Sequence, residues 1–209
     1  MDEETLAAVD GGALAAAAAR ARAAPRSCAV VLVEGVSDQA ALETLAARQG
    51  RDLRGDGVFV VPMGGATNIG HFLGRFGPGG FGVRLAGLCD EGEERGFRRG
   101  LERAGLAAGP GRAGLAARGF FVCVADLEDE LIRSLGFGRV EELIEAQGER
   151  GPFLTFTRQP AQRNRTREQQ LRRFMGTRSG RKIHYGRVLA AAVDLTRVPE
   201  PLAGVLARV

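Results

Sequence analysis

The stretch CAVVLVEGVSDQAALETLAARQ, residues 28–49, changes its periodicity halfway along. Its first six residues are apolar without a break and rich in valine, as in a strand buried on both faces. Glu34 and Gly35 end the run. Ser37 is then placed to cap a helix, DQAALETLAARQ, whose apolar residues fall at helical spacing. An apolar strand feeding directly into such a helix is the first half of a strand–helix–strand unit.

The pattern repeats downstream. GVFVV (57–61), VRLAGLC (83–89) and GFFVCVA (119–125) read as three further strands. Between them lie the Met63-Gly-Gly-Ala-Thr-Asn68 loop with a short helix, and a polar helix from about Glu91 to Ala104. Leu131 and Ile132 fall in a helix after the fourth strand. Strands that are apolar throughout and alternate with helices indicate parallel pairing and two covered faces. The expected fold is α/β, an open, mostly parallel sheet of about four strands with helices on both faces. AAGPGRAG (107–114) reads as a surface loop. Residues 1–25 form an alanine-rich helical segment interrupted at Gly11 and Gly12. Residues 26–136 form the α/β core, and 137–209 a helical, basic extension.

Composition narrows the function classes. With 209 residues and 44% hydrophobic content, the chain can bury one substantial core. Cys28, Cys89 and Cys123 all sit in or beside apolar runs, as small core residues of a reducing compartment would. Two histidines, His71 and His184, and no CxxC pair leave a zinc site almost without ligands. No apolar run approaches a membrane span, and the acidic start MDEETLAAVD is not a secretory signal. A cytoplasmic location is expected. Between Arg158 and Arg187 the basic residues face a single acid, Glu168. That run fits either a polyanion partner or a solvated basic face.

In a parallel open sheet, ligands bind beyond the carboxyl ends of the strands. Acids stand there three times. Glu34 ends the first strand, with Asp38 four residues on. The third strand ends in Cys89-Asp90-Glu91-Gly92-Glu93-Glu94, the fourth in Asp126-Leu-Glu128-Asp-Glu130. One such acid is ordinary helix capping. Three at one sheet edge repel each other unless a cation neutralises them. Hard oxygen ligands favour magnesium or manganese, and two such ions can cleave a phosphodiester.

VLVEGVSDQAAL resembles the opening motif of TOPRIM domains, the acidic module of topoisomerases, primases and the overcoming lysogenization defect (OLD) nucleases. The OLD branch is the most similar, on VEGxSD (33–38), GGATN (64–68), LCDEGEE (88–94), DLEDEL (126–131) and QPAQRNR…SGRK (159–182). The resemblance implies a nuclease with two magnesium or manganese ions. Glu34 would be a metal ligand and a general acid or base. Asp38, Asp90, Asp126 and Glu128 would complete the metal sites. The family's second DxD acid falls at Gly92, so Glu91, Glu93 or Glu94 would have to substitute, or one metal would be held weakly.

Lys182 is the only lysine in the chain. The resemblance implies that a basic residue here stabilises charge developing on a phosphate. Ser179 would cap a helix beginning near Arg181, putting Lys182 in its first turn, where an anion is favoured. Gly176-Thr-Arg-Ser-Gly180-Arg-Lys182-Ile183 glances toward a Walker A loop but lacks its spacing and its GK[ST] ending. The expected form is therefore a stand-alone TOPRIM protein, with any ATPase acting in trans. Arg163, Arg165, Arg167 and Arg181 are the expected nucleic-acid contacts. With 6% aromatic residues and no tryptophan, backbone contacts and weak sequence specificity follow. The expected substrate is DNA before RNA. Nucleotidyl transfer and a non-catalytic binding module are the alternatives.

Overall fold

The computed structural model describes residues 3–178 and 180–209. The chain begins with α1 (Glu3–Ala23) and continues through β1 (Ala29–Val33), α2 (Val36–Arg48), β2 (Val58–Pro62), α3 (Ile69–Phe76), β3 (Arg84–Asp90) and α4 (Glu94–Arg103). Next come α5 (Gly111–Ala117), β4 (Phe120–Cys123), α6 (Leu127–Leu135), α7 (Phe137–Ala146) and α8 (Arg150–Thr157). The last three helices are α9 (Arg167–Met175), α10 (Arg181–Ala192) and α11 (Glu200–Arg208).

The four strands form one parallel sheet in the order β2-β1-β3-β4. β1 lies inside, and its side chains alternate between two cores. Ala29, Val31 and Val33 face a core shared with Leu42 and Leu45 of α2, Leu131 of α6, Tyr185 and Leu189 of α10, and Leu202 and Val205 of α11. Val30 and Leu32 face the other, with Ala17 and Ala21 of α1, Leu73 of α3, and Phe97 and Leu101 of α4. Helices on both sides are the physical reason the strands carry no polar face. The helices after residue 136 contribute to the first core.

Three local expectations change. α1 runs through Gly11 and Gly12 without a break. Residues 111–117 are helical, so the expected surface loop covers only the stretch before them. α2 starts two residues early, with Gly35 at its N-cap, and the Asp38 carboxylate accepts the Gly35 N–H at 2.9 Å. Ser37 is inside the helix, buried. Its expected capping role passes to Asp38, whose longer side chain reaches back to the orphan backbone donor. The cap expected of Ser179 lies outside the described residues. Gly180 occupies the N-cap position of α10 with φ 79°, a left-handed turn that glycine adopts without cost.

Candidate metal and phosphate site

Each acid expected at the sheet edge is delivered by a strand end or the helix behind it. Glu34 follows β1 directly, and Asp38 lies in the first turn of α2. Asp90 is the last residue of β3. Asp126 caps α6, accepting the Asp129 N–H at 2.9 Å, and Glu128 sits in that helix's first turn. Ala125, just before the cap, is the one non-glycine residue with positive φ (63°) among the described residues. That strained link turns the chain sharply from β4 into α6 and sets where Asp126 and Glu128 start.

Glu34, Asp38 and Asp90 line one cavity of about 500 Å³ together with Gly64, Gly65, Arg178 and Lys182. α10 supplies Lys182 because it lies across α2. The Gly186 Cα faces the Ser37 carbonyl so closely that a Cβ would stand 2.8 Å from its oxygen. The glycine loop is tied to the end of β1: Met63 N–H donates to Val33 O at 2.8 Å and Gly65 N–H to Glu34 O at 3.1 Å. Asn68 Nδ2 braces the loop from within, donating to Met63 O at 2.8 Å.

Asp126 and Glu128 adjoin this cavity without lining it. Asp126 Oδ2 is 3.1 Å from Arg172 Nε. Glu128 is 1% exposed, and its carboxylate lies 3.3 Å from Lys182 Nζ, yet neither of its oxygens has a hydrogen-bond partner. Burial pushes Glu128 up to about 7, with Asp38 and Asp126 adding to the rise and Lys182 opposing it. Burial likewise raises Asp90 to about 8, helped by repulsion from Glu34, Asp38 and Asp126. Asp38 is raised too, chiefly by its burial, which outweighs the Gly35 N–H and Lys182. Burial works against the Lys182 charge, but Glu128, Asp38 and Asp126 prevail and raise it. These groups form one electrostatic unit.

The donor set suits a hard divalent cation. It is all carboxylate oxygen, it repels itself, and it includes a buried carboxylate without a hydrogen bond. As the side chains lie, no three potential ligands among the described residues converge on one point. Magnesium keeps several waters and takes one or two carboxylates plus substrate phosphates, which an open arrangement can provide. None of Glu91, Glu93 and Glu94 lines the acidic cavity. Glu91 pairs with Arg112, and Glu94 with Arg98 at 3.0 Å.

The arginines divide. Arg163 is exposed and Arg165 half-exposed. Arg167 pairs with Glu141 at 2.6 Å and stands 4.6 Å over the Phe153 ring. Arg181, expected as a nucleic-acid contact, is instead committed inside the protein. It is buried, 2.6 Å from Glu149 and 4.3 Å over the Phe174 ring. Tyr185 Oη donates to the other Glu149 oxygen at 2.9 Å, so Arg181 locks α10 to the start of α8. Two residues escaped sequence reasoning. Arg178 lines the acidic cavity and Arg172 neutralises Asp126; in a run of near-identical arginines nothing distinguishes them until the fold does. His184 is exposed and paired with Gln147, and His71 is exposed on α3.

The family model described as overcoming lysogenization defect protein-like, TOPRIM domain, matches residues 27–91. Among solved structures, the C-terminal region of the Xanthomonas campestris pv. campestris OLD protein aligns with a TM-score of 0.68 at 22% identity, over 87% of this chain and 91% of that one. The C-terminal region of the Burkholderia pseudomallei OLD protein aligns with a TM-score of 0.64 at 19% identity, over 86% and 95%. At these identities the structural likeness speaks for the fold. A search of curated proteins returned no match.

Proposed function

Because the chain carries a TOPRIM domain of the OLD-like family, we propose that it is a divalent-metal-dependent nuclease that hydrolyses phosphodiester bonds of DNA with little sequence specificity. The family is generally nuclease-associated, OLD TOPRIM domains act on nucleic acids, and TOPRIM domains bind divalent metals. The observation that carries the proposal is the meeting of Glu34, Asp38 and Asp90, from two different strand ends, with Lys182 and Arg178 in one cavity. Carboxylates and cations lining the same space suit a phosphate with a metal on one side and donors on the other.

In this reading Glu34, Asp38 and Asp90 would hold one magnesium or manganese ion. Asp126 and Glu128, neutralised in this structure by Arg172 and Lys182, would serve a second. A bound divalent ion supplies Lewis-acid polarisation and a more acidic water. The chain's own residues do the rest. Arg178 and the Gly64–Gly65 backbone seat the phosphate, and Glu34 takes the proton from the attacking water. Water oxygen joins phosphorus, the opposite P–O bond breaks, and Lys182 Nζ donates to the oxygen on which charge grows. Most large aromatic side chains are buried in the two cores, which leaves few surfaces for base stacking and favours backbone contacts. The long basic segment between Arg158 and Arg187 agrees with a nucleic-acid partner.

Plasmid DNA incubated with manganese, with and without chelator, tests the reading. Wild type should nick or linearise it only with the metal, and Glu34→Ala and Asp90→Asn should not. Equal cutting by all three proteins, or cutting that survives chelation, would sink it.

A further inference from the structure

α4 carries Arg95, Arg99 and Arg103 at intervals of four residues, hence on one helix face. The opposite face buries Phe97 and Leu101 in the second core, which fixes the roll of the helix. All three arginines are exposed, and none has a carboxylate within 4.0 Å among the described residues. They line a groove of about 550 Å³ with Thr67, Gly70 and Gly92, and Glu93 is the one acid on its wall. Many other arginines are committed: Arg98, Arg112, Arg133, Arg139, Arg150, Arg167, Arg172 and Arg181 all pair with acids.

The groove's floor is bare. A Cβ at Gly70 or Gly92 would meet nothing within 4 Å, and at Gly96 only a flexible glutamate end at 3.9 Å. Glycine inside a helix costs up to about 1 kcal/mol relative to alanine, so packing gives no reason for Gly96. Gly100 differs, because it lets Ile69 approach to 2.9 Å of a built Cβ. Position also matters. Gly64 and Gly65 line the acidic cavity, and the next two residues, Ala66 and Thr67, line this groove. One braced turn separates the two.

We propose that the groove along Arg95, Arg99 and Arg103 holds the sugar–phosphate backbone of a DNA strand on its way from the acidic cavity, as its principal phosphate contact. The proposal rests on the nuclease reading only in taking nucleic acid as the ligand. Eight residues of helix span about 12 Å, and a strand advances about 3.4 Å per nucleotide. The three guanidinium groups therefore match about three or four nucleotides.

Anisotropy titrations of a labelled 30-mer, as single strand and as duplex, over a salt series in chelator test this without cleavage. Arg95→Ala/Arg99→Ala/Arg103→Ala should bind at least tenfold more weakly at low salt. Its slope of log K against log salt should flatten by about 2 for the single strand or nearly 3 for the duplex. Arg26→Ala/Arg54→Ala/Arg84→Ala removes the same charge from exposed positions at the amino ends of the strands, and its slope should match wild type. Gly92→Glu, which adds a carboxylate where space is open, should also weaken binding with an unchanged melting temperature. If the α4 variant keeps the control's slope, or wild type binds neither form, the groove assignment is wrong. Wild type that binds through α4 but never cuts plasmid with manganese would overturn the nuclease reading and leave the groove standing.

Discussion

Glu128→Gln tests the electrostatics of the site directly. Glu128 is buried at 1% exposure, its oxygens lack hydrogen bonds, and its one cation is Lys182 at 3.3 Å. Burial raises its carboxyl from 4.5 to about 7. A carboxyl raised on folding is harmless below its unfolded pKa and penalises the folded state as pH climbs through the folded value. Between pH 5 and 9 the metal-free wild type should therefore lose about 3 kcal/mol through this residue alone, taking 1.36 kcal/mol per pKa unit. Glutamine cannot ionise. Its buried amide has its own cost of about 1–3 kcal/mol, but that cost is the same at both pH values and drops out of the difference.

Thermal unfolding in chelator at pH 5 and pH 9 reads the effect. At about 2–4 °C per kcal/mol for a chain of this size, wild type should fall about 6–12 °C further than Glu128→Gln over that interval. Asp90, raised to about 8, contributes to both proteins alike. Manganese at pH 8 should then restore wild type more than the variant, because only wild type has this charge to neutralise. Parallel profiles for the two proteins would mean that Glu128 is not a desolvated, under-partnered carboxylate, and the electrostatic account of the site would fail.

Lys182→Met should lower single-turnover cleavage on the order of 100- to 1,000-fold with DNA affinity nearly unchanged, and should destabilise the metal-free protein at pH 8 but not at pH 5, because Glu128 loses its cation; a full cleavage rate would remove Lys182 from the chemistry. Gly186→Val should push α10 off the Ser37 carbonyl and cost about 1–3 kcal/mol, which thermal unfolding reads, and it should slow cleavage by displacing Lys182; wild-type stability would refute the close approach of α10 to α2.

The strands were legible because a parallel sheet covered on both faces demands uninterrupted apolar runs. CAVVLV and GVFVV could be little else. The acids at the strand ends were equally plain, since Glu34, Asp90 and Asp126 stand where each apolar run stops. What stayed hidden depends on contacts between distant segments. The order β2-β1-β3-β4 leaves no mark on any one strand. α4 gave its arginine face only to a reader who knew which side Phe97 and Leu101 bury. Arg172 and Arg178 look like their neighbours until α9 and α10 bring them to Asp126 and to the cavity.

Arg181 and Lys182 show why local reading failed where it did. They are adjacent, equally cationic and in the same first helical turn, and sequence reasoning faced both toward the substrate, Arg181 as a nucleic-acid contact and Lys182 as the donor to the reacting phosphate. A helix turns successive residues about 100° apart, and here that angle separates two environments. Arg181 points inward, where Phe174, Glu149 and the Phe174 carbonyl at 3.3 Å accept a flat, many-donor fork. An ammonium could neither stack on that ring nor reach those acceptors together. Lys182 points to the acidic cavity, half-exposed and 3.3 Å from one carboxylate. In the proposed reaction a compact charge there would leave Glu128 for a phosphate oxygen without breaking a planar network. On the proposed mechanism the chain's single lysine stands where a point charge would be needed, beside an arginine that stands where a fork is needed.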